Sequence, residues 1–261
     1  KKPDLPVKLT GGNFNLGTPV KARKSNALIF TKEDFSMFPD YLVSDLSFAT
    51  EKRVTDANPQ QKNFLWGEAE VVKWVSLDGR ETEGLLYKPA GFDPAKKYPI
   101  IVNFYDRSSS ELYRHRTPEP GRSTIDYHYY TSNGYLVFNP DVYYSEGYPG
   151  QSAYNCVMPG IMSLIERGFV DEKHIGAQGH SWGGYQVAYL ATRTTLFAAI
   201  ESGAPVVNMF SAYGGIRWES GLNRSMQYEH DQSRIGGTIW EAPQRYWENS
   251  PLFAADKIET P

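Results

Sequence analysis

A glycine-bracketed serine constrains this chain more than any other feature. Gly179-His180-Ser181-Trp182-Gly183 reads G-x-S-x-G, and Gly184 follows it directly. Upstream, Ile175-Gly176-Ala177-Gln178 is a short, mostly apolar run that suits a buried strand. Downstream, Val187, Leu190 and Ala191 recur at helical spacing within residues 184–195. The serine therefore falls where a strand turns sharply into a helix, the context in which this pattern presents a nucleophile. A side chain at Gly179, Gly183 or Gly184 would crowd the adjoining strand and helix. Ser181 is the candidate nucleophile. The amide of Trp182, free in the helix's first turn, is a candidate oxyanion donor. The alternative is an incidental serine in a glycine-rich turn, which the flanks fit less well.

The 261 residues carry 27 basic and 30 acidic side chains, a formal charge of −3. That balance gives no nucleic-acid footprint. A hydrophobic content of 40% suffices for a large core. One cysteine excludes an internal disulfide framework, and Cys156 is read as a small buried residue. No run of about 18 apolar residues is present, so no membrane-spanning helix is expected. The chain opens Lys1-Lys2-Pro3 and closes Ile258-Glu259-Thr260-Pro261. Both ends are expected to be internal to a longer polypeptide, and the compartment is not readable.

Residues 1–66 are β-like. Residues 27–31 and 41–44 read as strands around a turn at Phe38-Pro39-Asp40, and residues 52–55 add another. This amounts to about one blade of short antiparallel strands, and a lone blade cannot bury both faces. The expectation is a partial β domain over 1–66, the remnant of a propeller, followed by a larger domain over 67–261. In that larger domain Asp78-Gly79 marks a hairpin between residues 71–75 and 81–87. Residues 100–105 and 135–139 are nearly continuous apolar runs, as in strands covered on both faces. Helices are expected over 123–130, from Ala153 to Gly168, and over 240–248; another strand is expected at 197–200. Residues 206–239 look irregular. Alternating buried strands and helices imply an α/β fold with a mostly parallel sheet.

Residues 179–185, Gly-His-Ser-Trp-Gly-Gly-Tyr, resemble the elbow of the prolyl oligopeptidase family of serine peptidases, which includes dipeptidyl and acylaminoacyl peptidases. Weaker matches are residues 135–141, Gly147-Tyr148-Pro149-Gly150 and Asn249-Ser250-Pro251 ahead of residues 255–258. The resemblance covers roughly residues 60–261. It implies an α/β-hydrolase domain under a β-propeller lid, cleavage of short peptides, and no cofactor or metal. It also implies that Tyr105, at the end of the strand over 100–105, donates to the oxyanion. The family's Tyr-Gly-Gly-Pro continuation is here Tyr105-Asp106-Arg107-Ser108. The competing reading of Tyr105 is a buried strand-end tyrosine; the oxyanion role is preferred, because the elbow demands a second donor.

A serine nucleophile needs a histidine base oriented by a carboxylate, in the chain order Ser, acid, His for this fold. Only His230 follows Ser181, and it lies in an irregular segment too early for that order. His115, His128 and His174 precede the elbow, and His180 adjoins the serine with its side chain expected to point away. Asp231 has no histidine after it, and Asp256 reads as a helix-end residue. No triad acid or base is assigned within these residues. By resemblance both belong to a C-terminal segment of the same protein, as the propeller belongs to an N-terminal one.

No His/Cys/Asp cluster has metal-ligand spacing, and no phosphate-binding or dinucleotide glycine pattern occurs. Arg217 either faces a substrate carboxylate or pairs with Glu219, the pair being the preferred reading. Tyr143, Tyr144, Tyr148 and Trp182 form either an aromatic wall or ordinary packing. Arg107 and Arg114 read as a solvated loop face. The expected function is a serine peptidase acting on peptides through Ser181. The competing expectations are an esterase of the same fold and a non-catalytic peptide-binding relative.

Overall fold

A computed structural model describes residues 5–121 and 123–261. The chain begins with a small antiparallel sheet. Its strands are β1 (Asn15–Leu16), β2 (Val20–Lys21), β3 (Leu28–Glu33), β4 (Asp40–Ser44) and β5 (Glu51–Arg53). The order is β1-β3-β4-β5, with β2 also pairing β3. Phe30 fills its inner face against Phe48, with ring centroids 5.3 Å apart. Asp40 is buried at the β4 end, where it accepts from the Thr55 hydroxyl and the Ala57 amide and pairs with Arg53. These bonds close the last strand back onto the sheet.

The second sheet has six strands. They are β6 (Glu68–Val75), β7 (Glu81–Lys88), β8 (Tyr98–Asn103), β9 (Leu136–Pro140), β10 (Val170–His180) and β11 (Ala199–Gly203). Their order is β11-β10-β8-β9-β7-β6. β11, β10, β8 and β9 run parallel, while β7 pairs antiparallel with both β9 and β6. Helix α1 (Tyr127–Ser132) precedes β9, α2 (Pro149–Glu166) precedes β10, and α3 (Trp182–Ala191) follows it. Three short helices come later: α4 (Met209–Tyr213), α5 (Ser225–Glu229) and α6 (Pro243–Glu248).

Apolar strands are the reason this sheet can sit between helical layers. All of β9 is buried, and Leu136, Phe138, Val102 and Ile100 pack with Val157, Ile161 and Leu164 of α2. The other face packs Leu85, Tyr87 and Val137 with Tyr127 and with Phe35, from the loop between β3 and β4. Helix α2 runs on through Pro159. A proline removes the amide that would bond four residues back. The carbonyl so freed, that of Asn155, accepts from Leu77 at 3.0 Å, and the neighbouring Cys156 carbonyl accepts from the Trp74 indole at 2.8 Å. The β6–β7 hairpin is thereby bonded to the helix that covers it.

Several boundaries differ from expectation. β8 ends at Asn103, leaving Phe104 and Tyr105 on the loop beyond it. The strand expected at 197–200 lies at 199–203, because its ladder with β10 begins at Gly176–Ala199. The helix expected over 123–130 starts only at Tyr127, with Asp126 capping it through the Tyr129 amide at 2.8 Å. The helix expected over 240–248 starts at Pro243. The region 206–239 holds α4 and α5, each too short for a periodicity to show.

Candidate active site

The carboxyl ends of β8, β10 and β11 converge at one rim of the sheet, where parallel sheets present their crevice. Ser181 stands on that rim between β10 and α3, with φ 57° and ψ −111°. A non-glycine residue at positive φ is strained by roughly 1–3 kcal/mol and persists only when its surroundings impose it. Here the Ser181 amide donates to the Gly203 carbonyl at 2.8 Å, and its own carbonyl accepts from Tyr185 at 3.0 Å. The Ser202 hydroxyl holds the Gly184 carbonyl at 2.9 Å. These bonds fix the turn from both sides.

The glycines answer to close approach. A Cβ on Gly179 would overlap the Gly183 carbonyl, and one on Gly184 would overlap that of Gly203. At Gly183 it would stand 2.6 Å from the Phe104 carbonyl and 3.7 Å from Cδ2 of Tyr105. The same contact that demands glycine at 183 thus brings Tyr105 to the elbow.

Tyr105 is 45% exposed, not buried. Its carbonyl accepts from the Gln186 amide at 2.6 Å, and the Tyr144 hydroxyl lies 3.2 Å from it. Gln186 is wholly buried on α3, one turn after Trp182. The Trp182 indole donates to the Tyr144 hydroxyl at 3.0 Å and stacks on Tyr185, with centroids 4.5 Å apart. Trp182 and Tyr144 are therefore packing that sets the loop, and no aromatic substrate wall forms from them. Burial pushes the Tyr144 phenol far above its ordinary pKa, so it stays a neutral donor. As the first residue of α3, Trp182 has an amide with no acceptor in the preceding turn.

The Tyr105 hydroxyl meets a chain of amides. Gln232 Nε2 donates to it at 2.6 Å, and Gln227 Nε2 donates to Gln232 Oε1 at 2.9 Å. Gln227 Oε1 in turn accepts from Arg217 at 2.8 Å and from Arg224 at 3.4 Å. Guanidinium groups only donate, so they fix which end of each amide faces which neighbour. The tyrosine oxygen ends the chain as an acceptor, and its own proton stays free for another partner.

None of the five histidines hydrogen-bonds Ser181. His180 is exposed, with Nδ1 3.0 Å from the place of a Cβ on Gly203, and it borders a cavity of about 710 Å³ beside Asn103 and Ser108. His230 lies 3.6 Å from Glu229, and His174 lies 2.7 Å from Asp171, both exposed. His115 and His128 pack on Trp66. Arg217 is bound to Gln227 and makes no ion pair with Glu219, which corrects the expected pairing. Arg107 lies over the Tyr143 ring at 5.4 Å, and Arg114 pairs with Glu111 at 3.0 Å. Asp231 borders a second cavity at the rim, while Asp256 lies in a 3-10 turn. Cys156 is buried. Among the described residues no group of three metal-ligating side chains gathers, and no helix is long and apolar enough to cross a membrane.

Sequence reasoning missed Gln186, Gln227 and Gln232. Gln186 left one signal, a polar residue on the buried face of an apolar helix. Gln227 sits on α5, too short to show a period, and Gln232 in the irregular chain after it; neither left one.

The fold and elbow together define an α/β-hydrolase. Residues 126–261 match the prolyl oligopeptidase family, just over half of the chain, and the chain belongs to that family. It is 25% identical over 224 residues to the uncharacterized peptidase YuxL of Bacillus subtilis, covering 81% of this chain and 32% of that protein. It is 23% identical over 260 residues to a probable chloroplastic glutamyl endopeptidase of Arabidopsis thaliana, covering 85% of this chain and 25% of that protein. The acylaminoacyl peptidase of Pyrococcus horikoshii superposes with a TM-score of 0.72 at 20% identity, over 96% of this chain and 39% of its own. The chain thus spans a quarter to two-fifths of the length of these relatives.

Proposed function

We propose that the protein is a serine peptidase cleaving short peptides, with Ser181 as nucleophile. Ser181 Oγ attacks the scissile carbonyl carbon and loses its proton to a base. The carbonyl oxygen, now negative, is held by the Tyr105 hydroxyl and the Trp182 amide. The C–N bond breaks, the amine leaves with the proton, and water hydrolyses the acyl-serine. With no histidine bonded to Ser181, the base and its orienting carboxylate are contributed by sequence outside these 261 residues. The propeller of which residues 1–66 form part covers the site. The observation that carries the reading is the strained Ser181 beside a tyrosine whose hydroxyl proton is left free.

Intact-mass analysis after a fluorophosphonate probe tests it. The full-length protein gains one adduct, and S181A gains none. An unlabelled full-length protein, or an adduct retained by S181A, overturns the assignment.

A further inference from the structure

Beside Tyr105 the rim opens into a cavity of about 480 Å³ whose lining includes Arg217, Arg224, Arg234, Asp106 and Asp231. Three guanidinium groups face two carboxylates there, and only one ion pair forms, Arg234 with Asp106 at 3.6 Å. Arg217 and Arg224 make no ion pair among the described residues; their bonds are to the neutral Gln227. The local chain holds them so. Ile216 and Asn223 form an antiparallel bridge, the Arg217 amide donates to the Leu222 carbonyl at 2.9 Å, and that of Arg224 to Gly215 at 2.9 Å. The two arginines thus flank the base of one tight loop and reach the same oxygen. The Arg224 guanidinium also lies over the buried Tyr228 ring at 5.4 Å. Arg234 is held over the Tyr144 ring at 4.4 Å.

We infer that this cavity is a specificity pocket for an acidic side chain, glutamate or aspartate, on the substrate residue that supplies the scissile carbonyl. The inference rests on the proposed role of Ser181 and Tyr105. Two features of the site support it. Gln232, on the pocket wall, is bonded to the hydroxyl that faces the oxyanion, so the side chain next to that carbonyl falls nearest the arginines. A pair of guanidiniums sharing one neutral acceptor keeps unused donors, and a carboxylate matches their forked geometry. A glutamine side chain of equal length would offer one acceptor and no charge. The expected preference for Glu over Gln is about tenfold or more.

The test uses the full-length protein and three N-acetylated tripeptides that differ at the last residue: Glu as the amide, Gln as the amide, and Gln as the free acid. Binding is measured by calorimetry, and a fluorophosphonate adduct is scored on the same preparation. The Glu amide is expected to bind at least tenfold tighter than the Gln amide. That ratio is expected to collapse towards one in R217M and R224M, both checked for native circular dichroism. A ratio near one in the unmodified protein, or a ratio unchanged in both variants, overturns the pocket. A free-acid Gln peptide that outbinds the Glu amide assigns the arginines to a chain terminus and also overturns it. An absent adduct with the Glu preference intact overturns the nucleophile reading and leaves the pocket standing.

Discussion

Gln232 donates its amide to the hydroxyl of Tyr105 at 2.6 Å, although 127 residues separate them. The direction of that bond matters more than its length. Arg217 and Arg224 fix Gln227, Gln227 fixes Gln232, and the phenol is left with its proton pointing elsewhere. Y105F, which removes only that proton and its oxygen, should lower kcat by about 10²–10³-fold with little change in KM. Q232L should cost less, about 5- to 10-fold, since it removes one neutral bond. Q232E should be worse than Q232L, because a carboxylate accepts the proton the oxyanion needs. Steady-state kinetics on the full-length protein rank the three; Q232E equal to or better than Q232L would break the relay argument.

A Cβ at position 183 would stand 2.6 Å from the Phe104 carbonyl. Neither backbone segment can yield, since Phe104 is buried and α3 is packed. G183A should therefore push the loop carrying Tyr105 off the elbow. Overpacking of this kind costs about 1–3 kcal/mol. The expected result is a fluorophosphonate labelling rate down at least tenfold, together with a melting temperature a few degrees lower. Wild-type labelling in G183A would mean that Tyr105 and the elbow are not coupled through this contact.

The elbow and the central strands were legible because their physics is local. Close approach at Gly179, Gly183 and Gly184 forbids a side chain whatever the rest of the chain does, and residues 136–138 are apolar without interruption because both faces are covered. Tyr105 was placed beside the serine only by resemblance, since nothing at residues 100–105 shows where the strand ends. The amide chain was not legible at all. Gln227 lies on α5, too short to show a periodicity, Gln232 lies just past it, and the two ends of the chain, Arg217 and Tyr105, lie on other loops. Arg217 and Glu219, two residues apart, looked like a pair. The bridge between Ile216 and Asn223 instead turns Arg217 towards Gln227.

His115 and His128 share the Trp66 indole, with ring centroids 5.3 and 4.3 Å from it, and His128 stacks on Phe35 at 5.2 Å. Burial holds both below the ordinary histidine value of 6.5, outweighing Glu33 and Asp34 near His115 and Asp126 near His128. The folded state therefore prefers the neutral rings. Their contribution to stability is fully present above about pH 6.5 and is lost as pH falls through the depressed values. Urea midpoints measured from pH 7.5 down to 5 should decline in the wild type. The double variant H115Q/H128Q should be less stable at pH 7.5 and decline less over the same range. An equal slope in both proteins would place the acid sensitivity elsewhere.

Asn249 ties three helices through one side chain. Its Oδ1 accepts from the Gly150 amide at 3.1 Å and from the Tyr185 hydroxyl at 3.2 Å; its Nδ2 donates to the carbonyls of Gly147 and Arg245, each at 2.9 Å. It is 2% exposed, so water cannot take over these bonds. The neighbouring Ser250 hydroxyl accepts from the Met209 amide at 2.9 Å and donates to the Tyr246 carbonyl at 2.7 Å. The Asn249-Ser250-Pro251 stretch therefore acts through packing beneath the elbow helix. N249A strands two buried donors and the Gly147 carbonyl, while the Arg245 carbonyl keeps the backbone amide of residue 249, and should cost about 2–4 kcal/mol. N249D keeps the acceptor but brings a buried charge opposite two carbonyls, and should cost at least as much near neutral pH. Because the Asp side chain can protonate and donate, the N249D deficit should shrink towards pH 4, whereas that of N249A should not. Chemical denaturation at pH 7 and pH 4.5 distinguishes the two variants, and equal pH behaviour would show that the Gly147 carbonyl finds another donor.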